Sequence, residues 1–200
     1  GGSYRPRILM IEKRMPTVEE LVYNMILFVF LPLWLVCGGI DYLCHRRTRI
    51  EENSGVKESI QHCLMGLQVG IPMFLVIYLE VTVGVLLVCV IFFIWHEITA
   101  HRDLVLAEGQ RVISVWEQHV HGYLGTIPFF LLMLVLAFNW TTFLDLLQFN
   151  WVGKMSFSFR RDPVGPNNYM LWYASFMMFV AIIPYTEELI RCIRYANKNR

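Results

Sequence analysis

The stretch CLMGLQVGIPMFLVIYLEVTVGVLLVCVIFFIW, residues 63–95, decides the fold of this 200-residue chain. As a single helix it would be about 50 Å long, which exceeds the ~30 Å hydrocarbon core of a bilayer. A charge, a threonine and a glycine interrupt the stretch at Glu80, Thr82 and Gly84. We therefore predict that it folds into a short membrane hairpin, which turns near these residues and returns to the side from which it started.

Other apolar blocks lie on both sides of this hairpin. Hydrophobic residues make up 56% of the chain and the mean hydropathy is +0.48. Residues 21–40, 123–138 and 169–185 are further blocks of membrane-spanning character, since about 20 apolar residues cross a bilayer. The sequence predicts an all-α integral membrane bundle with about five transmembrane helices, a single membrane domain over residues 1–200. Residues 139–168 would connect two helices on the far side. The net charge of +1 gives no indication of nucleic-acid binding.

All six histidines lie in the polar segments 41–62 and 96–122, which the hairpin places on one side of the membrane. Four of them follow an acid by four residues, a spacing that stacks two side chains on one helix face. The pairs are Asp41/His45, Glu58/His62, Glu97/His101 and Glu117/His121. Each pair lies where a membrane helix begins or ends. The pattern therefore predicts metal-binding helix ends that converge on one membrane face.

Carboxylate oxygens combined with imidazole nitrogens suit iron, manganese or zinc. Helical bundles build dinuclear sites from such side chains on facing helices. We therefore predict two metal ions, with iron as the leading interpretation and zinc or manganese as alternatives. The expected ligands are the eight paired residues together with His96 and His119. Glu58, Glu97 and Glu117 are the carboxylates that we expect to take part in catalysis.

Two short histidine motifs carry a family resemblance. His96-Glu97-Ile98-Thr99-Ala100-His101 looks like a box of the HxxxxH type, and Glu117-Gln118-His119-Val120-His121 looks like a degenerate second box. Over residues 41–121 the chain resembles, at the level of architecture, the membrane fatty-acid desaturase and hydroxylase superfamily. The resemblance implies two irons that activate O₂ against C–H bonds of a lipid or hydrocarbon. The chain departs from that family in lacking an HxxHH box and in having acids where the family has imidazoles.

The leading functional interpretation is a membrane oxygenase or desaturase-type oxidoreductase. Its substrate would be lipid-soluble, O₂ would be the cosubstrate, and an external donor would supply electrons because the chain has no flavin or iron–sulfur motif. The alternatives are a zinc-dependent membrane hydrolase of a lipid amide or ester, a non-enzymatic metal transporter or sensor, and a haem protein. Basic residues are more numerous beside the histidine segments than on the opposite side, despite a basic N-terminus, which predicts a cytoplasmic metal site. The sequence is compatible with an oligomer.

Overall fold

Helices joined by short connections make up most of the chain. A computed structural model describes residues 15–109, 112–162 and 164–199. The basic N-terminus, which bears on the predicted orientation, lies outside these residues. The helices are α1 (Val18–Met25), α2 (Leu31–Thr48), α3 (Gly55–Tyr78), α4 (Val83–Ala107), α5 (Val115–Phe138), α6 (Trp140–Leu147), α7 (Tyr169–Met177) and α8 (Ile183–Lys198). The prediction of an all-α chain is confirmed for the described residues.

The first long helix is continuous over Val18–Thr48, because a π-helical turn, Ile26–Phe30, joins α1 to α2. It begins with a capping box at Thr17. The backbone N–H of Glu20 donates to the Thr17 hydroxyl over 3.2 Å, and the Thr17 N–H donates to the Glu20 carboxylate over 2.7 Å. The helix ends at Arg49, whose left-handed backbone (φ 52°) is a common helix terminator.

The predicted hairpin is confirmed, and it consists of α3 and α4. Leu79 is extended at the end of α3, and the Thr82 hydroxyl accepts the backbone N–H of Val85 to cap α4. The far-side connection covers this turn: the N–H of Glu80 donates to the Ser158 carbonyl over 2.9 Å. The turn and the connection therefore close the end of the bundle away from the histidines of α3.

Four helices are long and apolar enough to cross a membrane, namely Val18–Thr48, Gly55–Tyr78, Val83–Ala107 and Val115–Phe138. The described chain is thus a helical protein with four candidate membrane-spanning helices, against the five or so that the sequence predicts. A further long helix consists of α7, a π-helical turn (Met178–Ile182) and α8.

This last helix packs against the first one through two buried tyrosines. The hydroxyl of Tyr169 donates to the carbonyl of Leu27 over 2.5 Å, and that of Tyr173 donates to the carbonyl of Leu31 over 3.4 Å. Both tyrosines belong to the hydrophobic core together with Leu27 and Leu31. These bonds fix the last helix along the first, so that α8 reaches the end of the bundle where the histidines lie.

Candidate metal centre

Five carboxylates and three imidazoles meet at the end of the bundle opposite the hairpin turn. We call them the acid–histidine cluster: Asp41 and His45 of α2, Glu58 and His62 of α3, Asp103 of α4, Glu117 and His121 of α5, and Glu188 of α8. All except His121 are buried. Ionisable groups at such depth require partners or bound ions, because an isolated buried charge is strongly destabilising.

Helix starts place two of the acids in the cluster. The Ser114 hydroxyl accepts the backbone N–H of Glu117 over 3.1 Å, so α5 begins with Glu117 in its first turn. Gly55 begins α3 with a positive φ of 58°, and Glu58 lies in that first turn. Acids are favoured at these positions because the N-terminus of a helix carries partial positive charge.

Glu188 contacts two histidines at once. Its Oε2 lies 3.1 Å from Nδ1 of His45, and its Oε1 lies 3.0 Å from Nδ1 of His62. An ionised carboxylate only accepts hydrogen bonds, so these two contacts assign a proton to each Nδ1, which donates it to Glu188.

The imidazole rings of His45 and His62 stack with their centroids 4.4 Å apart and their planes at 10°. Since both Nδ1 atoms point to Glu188, both Nε2 atoms point the other way, towards carboxylates. Nε2 of His45 lies 3.4 Å from Oδ2 of Asp41 and 3.4 Å from Oε1 of Glu117.

The second ring meets a matching pair of acids. Nε2 of His62 lies 3.3 Å from Oδ1 of Asp103 and 3.9 Å from Oε1 of Glu58. Neither this nitrogen nor the Asp103 oxygen makes a hydrogen bond with a described residue. The two atoms are within ion-pair distance of each other.

His121 lies between the acids around His45 and the acids around His62. Its Nδ1 is 3.8 Å from Oδ1 of Asp41, and its Nε2 is 3.6 Å from Oδ2 of Asp103. Tyr185 also contacts Asp41. Its hydroxyl lies 3.3 Å from Oδ2 of Asp41 and 2.9 Å from the Gly38 carbonyl.

Two groups of side chains could each hold an ion, with ligand atoms within 4.8 Å of one another: Asp41, His45 and His62, and Glu58, His62 and Asp103. The groups share His62. The donor set of each is carboxylate oxygen plus imidazole nitrogen, which fits iron, manganese or zinc.

The structure brings three of the four predicted pairs into the cluster and leaves the fourth at its margin. Glu97 and His101 of α4 are exposed and line a groove of about 570 Å³ that also reaches Glu58, Asp103 and His121. The reason is the register of α4. Its buried side chains at this end are His96, Thr99, Asp103 and Ala107, a helical spacing that turns positions 97 and 101 outward.

Neither of the two additional histidines of the prediction belongs to the two ligand groups. His119 is exposed, and its ring packs edge-on against Tyr123 with centroids 5.2 Å apart. His96 is buried and lines a cavity together with Asp41, His62 and His121, but it belongs to neither ligand group. Metal binding by any of the predicted ligands remains a prediction.

Sequence reasoning missed three members of this site: Asp103, Tyr185 and Glu188. None of them has a histidine four residues away, so the pair pattern could not select them. Asp103 was detectable, because it lies seven residues after His96 and therefore on the same helix face. For Glu188 the signal is weaker, since it is one of two adjacent acids after the last apolar block.

The fold and the site together define a class: a membrane-type helical bundle with a buried cluster of carboxylates and histidines. Comparison of the chain with family models, curated proteins and solved structures gave no significant match.

Proposed function

We propose that the chain is a membrane-embedded dinuclear iron oxidoreductase that uses O₂ to oxidise a lipid-soluble substrate. One observation carries the proposal. A single carboxylate, Glu188, holds two stacked imidazoles by Nδ1, so that their Nε2 atoms face two separate pairs of acids. Histidines that bind metals typically donate their other ring N–H to a carboxylate in this way.

The geometry supports two adjacent ions. His45, Asp41 and Glu117 would hold the first ion, and His62, Glu58 and Asp103 would hold the second. In both sets the carboxylate oxygens lie 3.3–3.9 Å from Nε2 of the histidine. The ring centroids are 4.4 Å apart, and two-metal sites in enzymes have their ions roughly 3.5–4 Å apart. His121 lies 3.8 Å from Oδ1 of Asp41 and 3.6 Å from Oδ2 of Asp103, so it is placed to complete or orient the shell.

Iron is favoured over other metals by the balance of donors. Each proposed ion has one imidazole and two carboxylates, and anionic oxygen ligands stabilise the oxidised states of iron that oxygen chemistry requires. When bound, two irons supply reduction of O₂ and oxidation of a substrate C–H bond. Hydroxylation of one C–H bond by one O₂ yields one alcohol and one water and consumes two electrons and two protons, so a reduced electron carrier must act as partner.

The burial of the cluster supports an enzyme over a transporter. Its acids lie at one end of the apolar helices, and beyond Gln68, His96 and Thr99 the described buried core is hydrophobic, whereas an ion path would need polar groups across the whole membrane. A zinc hydrolase needs only three ligands and a water, which leaves more than half of the cluster without a role.

We also propose that the last helix is a fifth crossing and that the cluster faces the cytoplasm. The support for the fifth crossing is its continuous helical course alongside the first helix. The support for the orientation is the set of basic residues at the cluster end, where positive charge favours the cytoplasmic side; Arg46, Arg191 and Arg194 are among them.

Elemental analysis of the detergent-purified protein, with an optical spectrum, tests this proposal. We expect close to two irons per chain and no Soret band. His45→Ala and His62→Ala should each lower the iron content, and His119→Ala, which removes an exposed imidazole, should leave it unchanged. One zinc per chain would contradict the proposal in favour of a hydrolase, a Soret band would indicate haem, and no metal after loading would reject a metal centre altogether.

A further inference from the structure

A second polar feature lies deeper in the bundle than the acid–histidine cluster. His96 of α4 is 2% exposed, and neither Nδ1 nor Nε2 makes a hydrogen bond with a described residue. Gln68 of α3 is 1% exposed; its amide N–H donates to the Thr99 hydroxyl over 2.8 Å, but its Oε1 has no partner among the described residues. Buried polar atoms without partners are destabilising, so a ligand is the natural reason for their retention.

Both side chains line one apolar cavity. Its volume is about 70 Å³, and apart from His96 and Gln68 its walls are apolar or sulfur-containing, among them Met73, Phe93 and Pro128. A cavity of this size and lining holds part of an alkyl chain, and among the described residues that line it His96 and Gln68 have the polar side chains.

His96 also connects this cavity to the cluster. A second cavity of about 80 Å³ is lined by His96 together with Asp41, His62 and His121. A ligand held at His96 would therefore have its polar end between the apolar cavity and the cluster.

We propose that the apolar cavity binds the alkyl chain of a long-chain alcohol, with His96 and Gln68 holding its hydroxyl group beside the acid–histidine cluster. The identification of this alcohol as a substrate rests on the proposed function; the binding site itself does not. His96 would act as a positioning residue, since it holds the ligand and is not among the proposed metal ligands.

We infer a hydroxyl head group from the hydrogen-bonding atoms that His96 and Gln68 offer. A neutral imidazole offers one donor and one acceptor, and an amide oxygen accepts; a hydroxyl donates one hydrogen bond and accepts another, and so satisfies both residues. A carboxylate head group is disfavoured because, when ionised, it only accepts hydrogen bonds and cannot donate one to the Gln68 amide oxygen. A plain alkane would leave the polar atoms of His96 and Gln68 unpaired.

Competition against a photoreactive long-chain alcohol tests the inference. The purified protein is labelled with a diazirine-bearing alcohol, and unlabelled dodecanol or dodecane is added as competitor. We expect dodecanol to compete about tenfold better than dodecane, as one to two buried hydrogen bonds would give. Peptide mapping should place the label on residues of the apolar cavity such as Met73 or Phe93.

Variants separate hydrogen bonding from packing. His96→Leu and Gln68→Leu should each remove most of the preference for dodecanol, and His96→Gln, which keeps a donor and an acceptor, should retain it. His119→Leu is the matched control and should behave as the unmodified protein. Equal competition by dodecanol and dodecane in the unmodified protein would overturn the inference, as would an undiminished preference in both leucine variants.

Iron content measured on the same preparations distinguishes this inference from the proposed function. Two irons without a preference for the alcohol would reject the alcohol site alone. A preference for the alcohol in a protein that takes up no metal would reject the dinuclear centre and leave the alcohol site standing.

Discussion

The imidazoles of His45 and His62 stack at 4.4 Å although they come from different helices, α2 and α3. Stacking by itself leaves each ring free to slide along the other. Glu188 of the last helix fixes both, through Nδ1 contacts of 3.1 and 3.0 Å. The last helix therefore determines the direction of the two Nε2 atoms, and the site needs that helix as much as the helices that carry its histidines.

Glu188→Gln should lower the affinity for metal without unfolding the protein. The amide keeps one oxygen and replaces the other by a donor, so one of the two imidazoles must turn or change its protonated nitrogen. Loss of such a carboxylate partner typically lowers metal affinity about 10–100-fold. Metal titration of the purified variant measures the change.

Glu187→Gln is the matched control, because Glu187 bonds to Tyr42, Arg46 and Arg191 and forms no hydrogen bond or ion pair with a member of the cluster in the described part of the chain. It should bind metal as the unmodified protein does. Equal affinities in the Glu188→Gln and Glu187→Gln variants would refute the role given to Glu188.

Asp103→Asn and Glu97→Gln distinguish the structural site from the sequence pattern. Asp103 is buried and 3.3 Å from Nε2 of His62, whereas Glu97 is exposed. We expect Asp103→Asn to lose about half of the bound metal, since one of two ions loses an anionic ligand, and Glu97→Gln to lose none. Metal analysis of both variants checks this. Loss of metal in Glu97→Gln but not in Asp103→Asn would instead support Glu97 and His101 as metal ligands.

The sequence was sufficient to predict the hairpin and three of the acid–histidine pairs, because both depend on local patterns. An apolar run of fixed length must turn, and a spacing of four must stack on a helix. On α4 the sequence pattern selects Glu97 and His101, whereas the structure buries His96 and Asp103; both pairs have helical spacings, and only packing decides which one is buried. Glu188 is paired across more than 120 residues of sequence with His62, a contact that depends on how the last helix packs.

Tyr185→Phe should destabilise the protein modestly. The hydroxyl bonds to the Gly38 carbonyl and to Asp41, and a phenylalanine keeps the ring while leaving both acceptors with one partner fewer. A buried hydrogen bond contributes about 1 kcal/mol, which corresponds to a fall of roughly 2–4 °C in the unfolding temperature of a chain of this size. Tyr195→Phe, at an exposed position of α8, should leave the unfolding temperature in detergent unchanged; an equal effect of both changes would show that the Tyr185 hydroxyl contributes nothing.

Gly84→Ala should destabilise the hairpin end of the bundle. A Cβ at Gly84 would lie 3.2 Å from the ring of Phe157 and 3.3 Å from the Cα of Met155. The far-side connection cannot easily retreat, because the Thr82 hydroxyl donates to the Ser156 carbonyl over 2.7 Å. Overpacking of this kind costs about 1–3 kcal/mol, so the unfolding temperature should fall.

Gly70→Ala, within α3 and with no atom within 4 Å of the added Cβ, is the control. That change should hold or raise the unfolding temperature, because alanine favours a helix by up to about 1 kcal/mol over glycine. If Gly84→Ala were as stable as Gly70→Ala, the connection would not be packed against the hairpin as the structure has it.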